Sequence, residues 1–309
     1  MSTQPITRNN SETSGSLMDS IKQIVMAAAF VLIIWVVFIF FELLYKYINR
    51  MNINRTVLLP DTYVMDNKSI NISQNPNFKD SKPVNLSENE RTGIEFSYSF
   101  YMQINPSSFK SDAGLYHIFH KGYSTQFPLL SPGVYLHSNK NTMRVYMNTY
   151  KTWNNYIDID NIPVNKWFHT VVMCKQNALE VYINGNIASK LSFKDFLPYQ
   201  NFEDICCFSQ RNFTLKTINI PSLDPNFNST VSPNNASDCN AASANIDPNN
   251  MTVFGAAKGM LSRLTYFNYA LSYVEINQLM NEGPSSKMDA SAVATIQPYL
   301  SDTWWSRGY

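Results

Sequence analysis

The hydrophobic pattern changes character along the chain. Residues 24–41 read IVMAAAFVLIIWVVFIFF without a polar side chain, closed by Lys22 on one side and by Glu42, Lys46 and Arg50 on the other. At about 1.5 Å of rise per residue, this run with Leu43, Leu44 and Tyr45 spans a hydrocarbon core of about 30 Å. A buried helix of a soluble protein keeps a polar stripe, and none is present here. A secretory signal has a shorter apolar core followed by small residues, whereas FFELLYKYINR follows this one. The pattern predicts an uncleaved transmembrane helix over 23–45, after a polar tail, 1–22, predicted to be disordered. Lys46, Arg50 and Arg55 after the span, against Arg8 and Lys22 before it, favour a cytosolic C-terminal side by about one charge.

Residues 46–90 contain Asn, Ser and Pro and are weakly periodic, which predicts a stalk leading into a first strand. From Ile94 the pattern alternates. Ile94, Phe96, Tyr98, Phe100, Met102 and Ile104 are interleaved with Glu95, Ser97, Ser99, Tyr101 and Gln103, which predicts a long strand with one apolar face. Further strands are predicted at 114–122, 133–138, 142–150, 167–174, 179–184 and 187–193. Asn184-Gly185 marks a tight hairpin, because both turn positions tolerate positive φ. Short strands without intervening helices argue for an all-β, two-sheet antiparallel sandwich over 91–283. Residues 210–253, rich in Asn, Ser, Pro and Ala, break the pattern and predict a long surface insertion. A last strand falls in 259–271, and Ser272-Tyr273-Val274-Glu275 is a capping box opening a helix that Gly283-Pro284 stops. Residues 284–309 form a C-terminal tail ending in PYLSDTWWSRGY.

The net charge is +1 and the basic residues are scattered, so no nucleic-acid footprint exists. Cys174, Cys206, Cys207 and Cys239 lack CxxC spacing, which argues against zinc, and are too few for a disulfide scaffold. Cys239 is placed to tie the insertion back to Cys206 or Cys207. Neighbours in a strand point to opposite faces, so only one of the two is positioned for it. N-x-S/T sequons at Asn67, Asn71, Asn85, Asn212 and Asn235 carry glycans only if the domain passes through a secretory lumen.

The run 157–191, with Trp167, His169, Leu179, Val181, Tyr182, Asn184 and Gly185, resembles the concanavalin A-like lectin/glucanase superfamily in its laminin-G-like form. The segment from Gly259 to Ile276, HIFHKG at 117–122 and PGV at 132–134 extend the resemblance over roughly 90–285. The anchor, the Asn-rich chain and the PYLSDTWW end are similar to proteins of large double-stranded DNA viruses of the algal-virus and mimivirus kind. These resemblances imply a jelly-roll sandwich behind a single transmembrane helix. They also imply a minor virion protein in an internal membrane, linking the bilayer to capsid proteins. Host surface proteins use the same module, which implies the alternative of a surface lectin attaching to glycans.

The superfamily includes glucanases, whose catalytic strand carries E-x-D-x-(x)-E. That triplet is missing: Glu88 and Glu90 lack the aspartate, Glu203-Asp204 point to opposite faces, and Asp158 and Asp160 have no glutamate. The chain is expected not to be an enzyme. His117 and His120 are three apart, which in a regular strand puts them on opposite faces and argues against a metal pair. His169 is expected to be a satisfied framework histidine. The laminin-G resemblance implies calcium as a possible cofactor, with Asp112, Asp158 and Asp160 as candidate ligands. Tyr150, Trp153, Asn154, Asn155 and Tyr156 are candidates for a glycan platform of rings and amides, the alternative being that Trp153 packs beneath its loop. Trp304 and Trp305 are expected either to dock on their own domain or to anchor a partner.

Overall fold

The computed structural model describes residues 11–87, 93–110, 112–123, 129–150, 155–193, 197–216 and 250–289. It forms two compact units, Met1–Ile53 and Asn54–Tyr309. The first unit holds α1 (Ser11–Ile48) and the single-turn α2 (Arg50–Ile53). Asp19–Lys46 is long and apolar enough to cross a membrane, and none of its apolar window is buried. Glu42 and Lys46 pair at 2.8 Å near its end, and the Asn49 amide nitrogen of the side chain donates to the Tyr45 carbonyl at 3.1 Å.

The second unit is a sandwich of two sheets. The six-stranded sheet runs β1 (Arg55–Val64), β14 (Gly259–Phe267), β3 (Ile94–Ile104), β8 (Phe168–Gln176), β9 (Ala178–Ile183) and β10 (Asn186–Ser192). The eight-stranded sheet runs β12 (Asn212–Lys216), β13 (Asn250–Ala256), β4 (Leu115–Lys121), β5 (Gly133–His137), β6 (Thr142–Met147) and β7 (Asn155–Asp160). Its last two strands are β11 (Ile205–Cys207), which pairs with the far half of β4, and β2 (Ile70–Ile72), which pairs with β11. Pairing is antiparallel except between β13 and β4, which run parallel.

Alternation builds the core. Phe96, Tyr98, Phe100, Met102 and Ile104 enter it from β3, as the sequence pattern predicts, and meet Phe119, Val134, Leu136, Val145 and Ile157 of the opposite sheet. Tyr98 packs edge-on against Tyr266 at 5.1 Å, and Phe100 against Phe119 at 5.2 Å, geometry that adds about 1 kcal/mol per pair beyond area burial. The Asn184-Gly185 hairpin forms with φ of 48° and 79°, so both turn residues are left-handed as a two-residue primed turn requires. Helix α3 (Tyr273–Glu282) begins with the expected capping box. A Cβ on Gly185 would stand 2.7 Å from Oδ1 of Asn277 of α3, so this glycine also permits the hairpin to touch the helix.

The pattern and the fold differ in three places. The segment expected as a stalk leading into an entry strand is strand near its start: β1 is an edge strand paired with β14 from Arg55 opposite Phe267 to Val64 opposite Met260, with register shifts between Val57 and Leu59 and between Leu59 and Thr62. The ends of the expected insertion are strands: Asn212–Lys216 pairs with Asn250–Ala256, which continues the sheet onto β4. Residues 217–249 lie outside the described residues. The polar face of β3, with Ser97, Ser99 and Tyr101, is buried as well, and α3 meets it at Tyr101. The Tyr101 hydroxyl donates to the Leu279 and Met280 carbonyls and accepts from the Gly283 N–H.

Candidate functional site

The eight-stranded sheet has two chemically different faces. Val134 and Leu136 of β5, Met143, Val145 and Met147 of β6, and Ile157 and Ile159 of β7 point into the core. The intervening side chains stand on the other face in rows set by the register. His117, Tyr135, Arg144 and Asp158 form one row, and His120, Gly133, Tyr146 and Tyr156 the next. Gly133 lets Leu130 and Tyr135 close over its row, since a Cβ there would lie 3.0 Å from both.

Arg144 is only 4% exposed, and a charge so buried must be paired. Its Nε and Nη2 donate to the two carboxylate oxygens of Asp158, each at 2.7 Å. The guanidinium lies 3.8 Å from the centroid of the Tyr156 ring, a cation–π contact of about 2 kcal/mol when shielded from water. Burial is the largest influence on the Asp158 carboxyl and would raise it; the hydrogen bonds and charge of Arg144, with the neighbouring His137, together outweigh it and hold the group well below the usual carboxylate range. His137 Nε2 is 3.6 Å from Asp158, beyond hydrogen-bond reach, and neither ring nitrogen has a hydrogen-bond partner. Burial pushes its pKa down.

The two histidines expected on opposite faces of β4 stand together. The β4–β5 register shifts between His117 and Phe119, so Ile118 and Phe119 both enter the core and His120 returns to the face of His117. A bulge re-aims side chains in this way. His117 Nε2 is 2.7 Å from His120 Nδ1. The far nitrogens reach the Ser209 N–H and the Tyr123 carbonyl, each at 2.9 Å. On the six-stranded sheet, His169 Nε2 bonds Ser99 Oγ at 2.8 Å, while its Nδ1 is buried without a partner. It is therefore half-satisfied rather than fully so, and burial lowers its pKa to about 4.

Beside the imidazole pair, three connections form a rim. Tyr123 follows β4, Tyr150 follows β6, and Leu197, Tyr199 and Phe202 precede β11. Tyr150 is 71% exposed and Phe202 70% exposed, with Tyr123 and Leu197 also open to solvent. Tyr150 and Tyr199 stack obliquely with centroids 5.1 Å apart. Backbone bonds hold the platform, Tyr199 N–H to the Asn148 carbonyl at 3.0 Å and Tyr150 N–H to the Leu197 carbonyl at 3.3 Å. Beneath it, Lys121 is buried and donates to the Glu203 carbonyl, and Asn201 donates to the Lys121 carbonyl at 2.9 Å. Burial lowers the Lys121 pKa to about 8, against opposing pulls from Asp204 and Glu203. The corner after β11 is strained: Phe208 has φ of 57°, which costs a non-glycine residue about 1–3 kcal/mol.

The predicted glycan candidates divide. Tyr150 lies on this rim. Asn155 is buried and donates to Thr149 at 3.3 Å, and Tyr156 lies under Arg144, so these two are packing groups. Trp153, Asn154, Trp304, Trp305 and Cys239 lie outside the described residues. Cys206 and Cys207 carry free thiols, as does Cys174, and Cys206 donates to Asn71 at 3.1 Å. Burial raises the Cys206 thiol to about 11. The calcium candidates do not converge: no metal-holding group of His, Cys, Asp or Glu exists among the described residues. Asp158 is occupied by Arg144, and Asp160 accepts from Thr142 at 2.6 Å. The pattern missed Tyr123, Leu197, Tyr199 and Phe202. The available signal was large apolar side chains in aperiodic stretches between strands.

No protein-family model matches the chain, and no curated protein matches it. Solved structures that match include the binding domain of botulinum neurotoxin DC in complex with SialylT, 17% identical over 61% of this chain and 35% of that one, with a TM-score of 0.36. The receptor binding domain of botulinum neurotoxin D is 13% identical over 74% of this chain and 43% of that one, TM-score 0.40. The binding domain of Paraclostridial Mosquitocidal Protein 1 is 14% identical over 74% and 47%, TM-score 0.39. This chain spans less than half the length of each of these structures.

Proposed function

We propose that this chain is a membrane-anchored, non-catalytic binding protein in which α1 spans a bilayer and the sandwich holds partner proteins. The observation that carries the reading is α1, none of whose apolar window is buried. Exposed to water, that surface is untenable; in a bilayer core each Leu, Ile, Phe or Val favours insertion by about 0.3–0.6 kcal/mol. The acids of the sandwich serve as structural acceptors, Asp158 for Arg144, Glu180 for Lys190 and Asp204 for Asn71 and Gln74, which supports a holding role over acid–base chemistry. With the sequence resemblances, the finer reading is a concanavalin A-like minor virion protein that links an internal viral membrane to capsid proteins, its domain on the cytosolic side during assembly.

The full chain is expected to float with lipid vesicles after alkaline carbonate washing; recovery in the soluble fraction would overturn the anchor. Protease protection on microsomes then locates the domain, with a cytosolic, unglycosylated sandwich expected. The exposed Tyr150–Tyr199 platform favours one second reading, a lectin. The full chain in nanodiscs is expected to give no signal on a glycan array. A signal abolished by Tyr150→Ala would transfer the reading to glycan attachment.

A further inference from the structure

Four groups at the junction of β4 and β11 form one hydrogen-bonded chain: the Ser209 N–H, His117, His120 and the Tyr123 carbonyl. Its two ends fix every proton in the middle. An amide N–H only donates, so Nδ1 of His117 is bare and the neutral ring carries its proton on Nε2. A carbonyl only accepts, so His120 also carries its proton on Nε2 and leaves Nδ1 bare. The two deductions meet in a single bond, His117 Nε2–H donating to His120 Nδ1. Every nitrogen of the pair is used, and no lone pair is left for another proton.

An imidazolium has two donors and no acceptor. A proton on His117 sets Nδ1–H against the Ser209 N–H. A proton on His120 sets two ring N–H groups against each other, or passes along and meets Ser209. Either way the broken link lies between Tyr123 and Ser209. The surrounding groups do not compensate such a charge. Glu203 hydrogen-bonds Tyr123, and Asp204 accepts from Asn71 and Gln74. Lys121 adds positive charge from β4, and Arg211 from beyond β11. Tyr135 of β5 stands edge-on to His117, and Cys206 of β11 lies opposite His120, both as neutral groups. Burial keeps both imidazoles below their usual range, His120 adding to the effect on His117. The corner tied down by Ser209 is the strained one at Phe208, whose own N–H bonds the Ile118 carbonyl at 2.9 Å.

We infer that His117 and His120 are a proton-sensitive latch. As a neutral pair they tie the aromatic rim at Tyr123 to the corner from which β12 departs, and uptake of one proton opens that tie. The regulatory meaning rests on the rim as the binding surface proposed above; the latch itself does not.

The test uses the full chain in detergent micelles with 15N-labelled histidine and backbone amides. At pH 7.5 both rings are expected as the Nε2–H tautomer. Below the ordinary histidine range, Ser209 amide protection, corrected for intrinsic exchange, is expected to fall about tenfold per pH unit. In His117→Asn, whose Oδ1 still accepts from Ser209 but takes no proton, this fall disappears while β3 amides keep wild-type protection. If that variant does not fold, His117→Gln, which likewise takes no proton beside Ser209, carries the same comparison of pH dependence. An Nδ1–H tautomer on either ring, constant Ser209 protection while the rings titrate, or an equal fall in wild type and variant would overturn the latch. No partner is used, so a rim that binds nothing leaves the outcome readable.

Discussion

The two sheets bury their outer faces by different means. The six-stranded sheet buries Ser97, Ser99, Tyr101 and His169, and hydroxyls bond its outer face to the Tyr269 carbonyl through Ser97 and to α3 through Tyr101. The eight-stranded sheet buries three histidines and an arginine–aspartate pair. Neutral hydroxyl bonds are indifferent to pH and contribute modestly, whereas imidazoles kept neutral and a desolvated ion pair make stability conditional. The first face carries one titrating ring, His169, and the second carries three with an ion pair, so the second has more to lose in acid.

Acid gives the largest expected effect. All four histidines have depressed pKa values in the folded chain, so the unfolded chain binds protons that the native state refuses. Stability is therefore full above about pH 6.5 and declines as pH falls towards each folded value. For His169, with its folded pKa about 4, the loss reaches about 3 kcal/mol. Hydrogen exchange between pH 7.5 and 5 should show β4 to β6 losing protection before β3 and β8, since three of the four rings stand on the eight-stranded sheet. Simultaneous loss in both sheets would erase the contrast.

Next is the ion pair. Arg144→Met strands the Asp158 carboxylate and is expected to cost about 3 kcal/mol in urea unfolding, the lower end for a buried pair because Asp158 keeps some exposure. Adding Asp158→Leu should recover most of that loss, and a double variant as weak as the single one would mean that packing around Tyr156 dominates. The smallest effect is at the contact with α3. Tyr101→Phe removes one hydroxyl that serves Leu279, Met280 and Gly283, an expected loss of about 1–2 kcal/mol. Raised exchange should be confined to α3, with no change in its pH dependence.

Signals carried within one segment were legible from residue order alone. The unbroken apolar run of α1, the alternation of β3, the Asn184-Gly185 turn and the Ser272–Glu275 box each follow from periodicity or a local dihedral preference. Tyr150 was legible as a candidate because aromatic and amide residues crowd its stretch. Its neighbours Tyr199 and Phe202 were not, because they arrive from a connection about fifty residues away, across the Thr149–Pro198 bridge.

What only the tertiary structure decided depends on partner strands. Spacing alone separates His117 from His120. The shifted register against β5 inserts one extra residue into β4 and brings the two rings to 2.7 Å. Burial of the polar face of β3 was likewise invisible, since a serine or tyrosine in alternation reads the same whether water or protein lies above it. Residue order sets which side chains share a face when the strand is regular. Register and the elements packed above decide whether the strand is regular and whether that face is dry.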